Sequence, residues 1–180
     1  MALALALGVG LSLHITRPLT KTVQMIKEMG KGHLGQRLRL KRTDEIGVLA
    51  GTMDQFADHL QMVLNGNLQK LAAGDLAVQV TFMDERDEIA AAEQQIVDAL
   101  RGLLTETNHL THAAVAGNLA ARGHPDQFRG GYREIVQGIN DTLDAVISPL
   151  NVAAEYFERI AKGNVPAKIT DQYNGDFNEI

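Results

Sequence analysis

Apolar residues recur at intervals of three and four along most of the chain. Leu19, Val23, Ile26 and Met29 stand 4, 3 and 3 apart, and Ile46, Leu49, Met53, Phe56, Leu60 and Val63 stand 3, 4, 3, 4 and 3 apart. The first spacing predicts an amphipathic helix with Pro18 in its opening turn, where a proline is tolerated; the second predicts a heptad seam that buries itself against partner helices. Asp54 and Asp58 are expected to face away from that seam. It continues through Leu64, Leu68 and Leu71 at 4, 4 and 3, and a similar run, 4, 4, 3, 4, 3, 4 and 3, passes from Ile135 through Ile139, Leu143, Val146, Leu150, Ala153 and Phe157 to Ile160. A 4 where a 3 belongs is a stutter, which locally unwinds a supercoil and rotates its buried face. Continuous helices are therefore predicted to join successive parts of the chain.

Between the first two helices lies "GKGHLG", which has the spelling of a dinucleotide-binding loop, Gly30-x-Gly32-x-x-Gly35. That loop needs a preceding strand, and a helix precedes this one, so the dinucleotide reading fails on context. Gly32 is placed instead to take a left-handed helix cap. The same device recurs. Gly32-His33-Leu34, Gly74-Asp75-Leu76, Gly117-Asn118-Leu119 and Gly163-Asn164-Val165 follow one another at intervals of 42, 43 and 46 residues, the mark of an internal repeat. Pro18-Leu19 and Pro149-Leu150 each stand 14 residues before their glycine, and a second aliphatic follows the first by four in three copies, at Leu38, Val80 and Ile169; the third copy has Gly123 there. "DEIG" at 44–47 is answered by "DEIA" at 87–90, and "FRGGYREI" at 128–135 by "YNGDFNEI" at 173–180. Thr43 or Asp44 can cap the helix that follows, and Glu45 and Glu88 suit its positive N-terminal end.

Each unit thus reads as helix, connector, helix. Two such helices cannot close a core alone, and a connector about as long as a short helix leaves them parallel. The predicted fold is all-α: tandem helix-connector-helix units forming stacked parallel four-helix coiled coils in a homodimer. The repeat also leads us to expect a fragment incomplete at both ends.

Composition narrows the function. The 180 residues are 45% hydrophobic but only 4% aromatic, with no Trp and a net charge of -5, which suits long helices better than a compact enzyme. Cysteine is absent, which excludes disulfides, thiolate metal sites and a cysteine nucleophile. Residues 1–42 carry a net +7 and the remainder a net -12, so nucleic acid is not an expected partner. The basic stretch follows "MALALALGVGLSLHI". Fifteen helical residues at ~1.5 Å each span roughly 23 Å, short of a ~30 Å hydrocarbon core, so residues 1–15 are read as the inner end of a truncated transmembrane helix. A secretory signal fits less well without a basic n-region or a cleavage site. Basic residues after an apolar span belong on the cytoplasmic side, which places the chain at the inner membrane with everything after about residue 16 cytoplasmic.

"ITRPL", the Gly-x-Leu connector with its second aliphatic, and "DEIGVLAGTMDQF" together resemble a HAMP domain, the linker between membrane sensors and cytoplasmic outputs in bacterial receptors and kinases. The resemblance covers residues 16–64; residues 65–108 look like a second HAMP domain, departing at Ala90 where the family has glycine. Residues 109–148 form a divergent HAMP-like unit, lacking the "DEIG" motif, and 149–180 the start of a fourth. The last 45 residues are similar to the segment leading into the signalling bundle of methyl-accepting chemotaxis proteins. The resemblance implies a dimeric relay without catalysis or cofactor. It would pass a displacement of the transmembrane helix to a downstream signalling domain in the same chain, and thence to a kinase and adaptor in chemotaxis. The alternative is the HAMP linker of a sensor histidine kinase or nucleotide cyclase. Pro18, Gly32, Leu34, Leu38, Glu45, Gly47, Gly74, Leu76, Val80, Glu88, Gly117, Pro149 and Gly163 are the positions to which it assigns conformational roles.

Rival chemistry is thin. His109 and His112 at i, i+3 lack a third metal ligand, and Asp84, Glu85, Asp87 and Glu88 suit a helix start better than a catalytic pair. "GGYRE" lacks the Gly-Lys-Ser/Thr of a phosphate loop. No histidine has the setting of a phosphoacceptor. "AAAEQQIVDA" partly resembles a receptor methylation site at Gln94-Gln95, with Asp98 breaking the pattern.

Overall fold

The computed structural model describes Met1, residues 8–10 and residues 12–178. The described residues contain helices and connectors but no strand. In order they form a π-helix, π1 (Ser12–Thr16), α1 (Arg17–Met29), α2 (Glu45–Gln61), a second π-helix, π2 (Met62–Asn67), α3 (Leu68–Ala72), α4 (Glu88–Val115), a 3₁₀ turn (Pro125–Gln127), α5 (Gly130–Ala161) and a last 3₁₀ turn (Gly175–Asn178). The chain divides into two compact units, Met1–Val97 and Asp98–Ile180.

In the first unit the connector after α1 runs back along α2. Its early residue Arg37 bonds Asp58 and Gln61 near the end of α2, Leu38 bonds Asp54, and Arg42 reaches the carbonyl of His14 just ahead of α1. The start of α2 therefore lies beside the start of α1, and the two helices are parallel. The second unit repeats the arrangement. His124 and Phe128 lie against Glu106 and Gly102 of α4, so this connector also runs backward, while Arg122 and Gly123 meet Asp144 and Asn140 of α5.

α1, α2 and α5 each bury one face and leave a second apolar face open. On α1 the buried residues are Pro18, Thr22 and Met25, and on α2 they are Gly47, Ala50, Ala57 and His59. The heptad positions lie beside them and face out: Val23, Ile26 and Phe56 are 51%, 49% and 47% exposed, and Leu19 and Leu49 are exposed as well. On α5 the buried residues are Val136, Asn140 and Ile147, whereas Ile135, Val146, Leu150, Phe157 and Ile160 are exposed.

The predicted stutters meet different fates. The one beyond Leu60 coincides with π2, whereas the one at Ile135–Leu143 lies within the uninterrupted α-helix α5. Of the apolar segment at 1–15, residues 2–7 and 11 lie outside the described residues. Among the described residues no helix is long and apolar enough to cross a membrane.

Candidate functional site

Four glycines end four helices in one way. Gly32, Gly74, Gly117 and Gly163 have φ of 85°, 83°, 80° and 80°, the left-handed region that glycine enters without a Cβ clash. Each donates its amide to the carbonyl three residues back, and the residue after it donates to the carbonyl five before itself: His33 to Glu28, Asp75 to Lys70, Asn118 to Ala113 and Asn164 to Arg159. This pair of bonds is the Schellman cap, which satisfies the last carbonyls and turns the chain back.

Beyond the first cap, Leu34 is buried and Leu38 half-buried. Arg37 gathers the connector around itself. Its Nη1 donates to the carbonyls of Leu34 (2.5 Å) and Gln36 (2.7 Å), its Nε to Asp58 (2.8 Å) and its Nη2 to Gln61 (2.8 Å). The five donors of a planar guanidinium suit it to fasten a curved backbone to a helix. Asp54 accepts the amides of Leu38 (2.7 Å) and Arg39 (2.9 Å), which converge because Arg39 takes a left-handed φ of 48°. Asp54 and Asp58, expected to face away from the seam, do so and also hold the connector: four residues apart on α2, they lie on one side of the helix, roughly a third to a half of a turn from the seam.

At the start of α2, Asp44 is the cap, accepting from Gly47 (3.1 Å), and Arg42 bonds its carboxylate. Arg42 first, and the Gly47 amide second, hold the Asp44 carboxyl below its ordinary range. Gly47 has no room for a side chain, since a Cβ would stand 2.2 Å from the carbonyl oxygen of Arg42. Glu45 is exposed at the first helical position and Pro18 is buried in the first turn of α1. The start of α4 repeats this cap with Asp87, which accepts from Ala90 (2.9 Å) and Met83 (3.0 Å). Those two amides, then the charge of nearby His59, hold the Asp87 carboxyl low. Ala90, at the place of Gly47, is fully buried, and Glu88 is exposed. In this connector Leu76 and Val80 are half-buried, and Val78 between them is the buried residue.

In the second unit Arg122 stands where Arg37 stands in the first, five residues after the capping glycine. It donates to the carbonyls of Leu119 (2.9 Å) and Ala121 (2.7 Å) and to Asp144 (2.6 and 2.9 Å). Gly123 replaces the second aliphatic for a visible reason. A Cβ there would lie 2.7 Å from Val136 Cγ1, and its amide and carbonyl are both bonded by the buried side chain of Asn140, at 2.7 and 3.0 Å. Glu106 accepts the His124 amide (2.9 Å) and pairs with its ring (2.8 Å); His109, considered as a metal ligand with His112, lies with its ring centre 6.3 Å from that of His124. Among the described residues no group of three acidic or histidine side chains could hold a metal ion. Pro149 sits half-buried inside α5 and, with Lys168, Ile169, Tyr173 and Phe177, lines a cavity of about 580 Å³.

Two family models, both described as HAMP domain, match residues 10–62 and 127–180. The chain carries HAMP domains. The first HAMP match spans α1, its connector and α2; the second spans α5 and the segment after it. Neither the curated proteins nor the solved structures yield a match. HAMP domains are signal-relay linkers of transducer proteins. The pairings that sequence reasoning passed over are polar: Arg37 with Asp58, Asp54 with the amides of Leu38 and Arg39, Arg122 with Asp144, Asn140 with Gly123, and His59 with Asp87. The arginine at the fifth place after the glycine in two copies was the available signal. The pairing of Asn140 with a backbone had none.

Proposed function

We propose that this chain is the relay of a homodimeric transmembrane chemoreceptor, in which a displacement arriving through the N-terminal segment changes the packing of a parallel four-helix bundle and is passed to a downstream signalling domain. The observation that carries the proposal is the second apolar face of α1, α2 and α5. With the connectors docked, Leu19, Val23, Ile26, Leu49 and Phe56 still face out at heptad spacing, on helices whose other face is occupied. Isolated exposed apolar residues are ordinary, but a continuous stripe at this period is a coiled-coil surface awaiting a partner. A second copy supplies the same stripe by symmetry. The relay needs no catalytic group; its working parts are the caps and clamps that hold each connector. The chemoreceptor reading, over a kinase or cyclase, draws on the similarity of the last 45 residues to the segment leading into a chemotaxis signalling bundle.

Single cysteines at Leu49 and Phe56, in a chain with none of its own, test the dimer in membranes. Same-residue disulfides are expected to form rapidly at these two sites and slowly at exposed Val48 and Gln55, which lie off the seam. Equal rates at all four would remove the parallel homodimer and the relay with it.

A further inference from the structure

The first unit contains a helix that changes winding in mid-course. α2 passes into π2 and then into α3, which is only five residues long. The buried residues along this stretch are His59, Val63 and Asn67, spaced 4 and 4. In an α-helix eight residues overshoot two turns by about 80°, so the three would drift off one face. The wider π turn keeps them in line. π2 ends in Asn65-Gly66-Asn67, three weak helix formers, and a Cβ at Gly66 would touch nothing within 4 Å. No packing at Gly66 therefore enforces the π form.

A polar contact is available to enforce it. His59 Nε2 lies 3.5 Å from Asp87 Oδ2, with both side chains almost fully buried, and Asp87 is the residue that caps α4. The contact ties the last turn before π2 to the end of the next connector. The tie is incomplete: His59 Nδ1 and Glu93 Oε1 are buried without a hydrogen-bond partner among the described residues. A buried polar atom without a partner gives up its hydration and gains nothing in return, so this arrangement stands little below alternatives that would satisfy those atoms.

We propose that Met62–Asn67 is a two-register element, π-wound while His59 is held against Asp87 and α-wound when that contact is broken, and that His59 and Asp87 are the residues that set its register. Conversion to α-winding advances α3 by one residue's turn, about 100°, and with it the Gly74 cap that starts the next connector. The inference rests on the relay reading and gives that relay a moving part.

The test uses an intrachain distance, which does not depend on whether the chain dimerises. Spin labels at Gln55→Cys and Lys70→Cys, both exposed, bracket the junction, and labelled chains are diluted in unlabelled ones so that only pairs within one chain report. The double substitution Asn65→Ala and Gly66→Ala, which favours α-winding at unchanged chain length, provides the reference distance for the α register. Asp87→Asn, which keeps most of the cap, and His59→Leu are each expected to add a second population at that reference distance. A single unchanged distribution in both variants, with a shifted one in the alanine reference, overturns the switch. A reference distance equal to that of the parent shows that the junction has no second register to adopt and overturns it too. Loss of the seam disulfides at Leu49 and Phe56 with the two distances still present removes the dimeric relay and leaves the switch standing.

Discussion

Two stutters of the same spacing occur in this chain and are resolved in opposite ways. Beyond Leu60 the helix unwinds into a π turn; between Ile135 and Leu143 it stays α-helical. The difference lies in what each buried face must satisfy. On α5 the buried residues are Val136, Asn140 and Ile147, and the step of 11 from first to last makes just over three whole α turns, so the face closes on itself without a change of winding. Asn140 then locks the register, because one side-chain amide makes both bonds of the Gly123 backbone. At π2 the face runs 4 and 4 with no compensating 3, and its polar residue His59 has one nitrogen engaged and one orphaned. Saturated buried polar contacts fix a helix register, and half-made ones leave it adjustable.

The largest test of this contrast is Asn140→Leu. The substitution leaves the amide and the carbonyl of Gly123 buried without partners, at a cost of roughly 2–4 kcal/mol. Hydrogen exchange at 117–129 should lose its protection while 30–44 keeps its own. If both connectors respond alike, the lock does not belong to Asn140. Gly123→Ala comes next. Its Cβ meets Val136 Cγ1 at 2.7 Å, and because Val136 is β-branched and buried the strain should reach about 1–3 kcal/mol, read as a lowered midpoint in denaturant.

A smaller pair compares the two windings directly. Gly66 in π2 and Gly138 in α5 both have open space where a Cβ would go. Gly138→Ala should stabilise α5 by about 0.8–1 kcal/mol, the ordinary helix-propensity gain, with no change of register. Gly66→Ala favours α over π, so part of its gain should appear as a shift in the distance between labels at residues 55 and 70. Melting curves that match, with unchanged distances, would make the two junctions equivalent.

The heptad periodicity, the repeat and the capping glycines were all legible, because spacing and glycine conformation are local properties of a sequence. The left-handed glycine was inferred for the first cap, and all four copies adopt it. Pro18, Leu34 and Gly47 were singled out and are buried where connector meets helix, whereas Glu45 and Glu88, also singled out, are exposed at the first helical positions. What stayed hidden was which of two apolar faces each helix would bury. Leu19 and Met25 read alike in a hydropathy pattern, and only the path of the connector decides that Met25 goes in and Leu19 stays out. The clamps were hidden for the same reason. Arg37 and Asp58 are 21 residues apart and ordinary as surface charges until the chain folds back.

The smallest effect concerns acid. Asp87 is held low by the amides of Ala90 and Met83 and by His59, so its contribution to stability is complete above its unfolded value near 3.8 and is lost as pH falls through the lower folded value. The Asn140–Gly123 clamp contains no group that titrates. In an amide-resonance titration from pH 6 downward, Ala90 should therefore hold its position to about pH 4 and move only in stronger acid, as the Asp87 carboxylate takes up its proton. Because Glu106 bonds the next amide, that of His124, only a midpoint that Gly123 shares with Ala90 bears on the comparison. A shared midpoint at Ala90 and Gly123 would mean that acid loosens the whole helical array at once, and that the two junctions differ in winding without differing in what holds them.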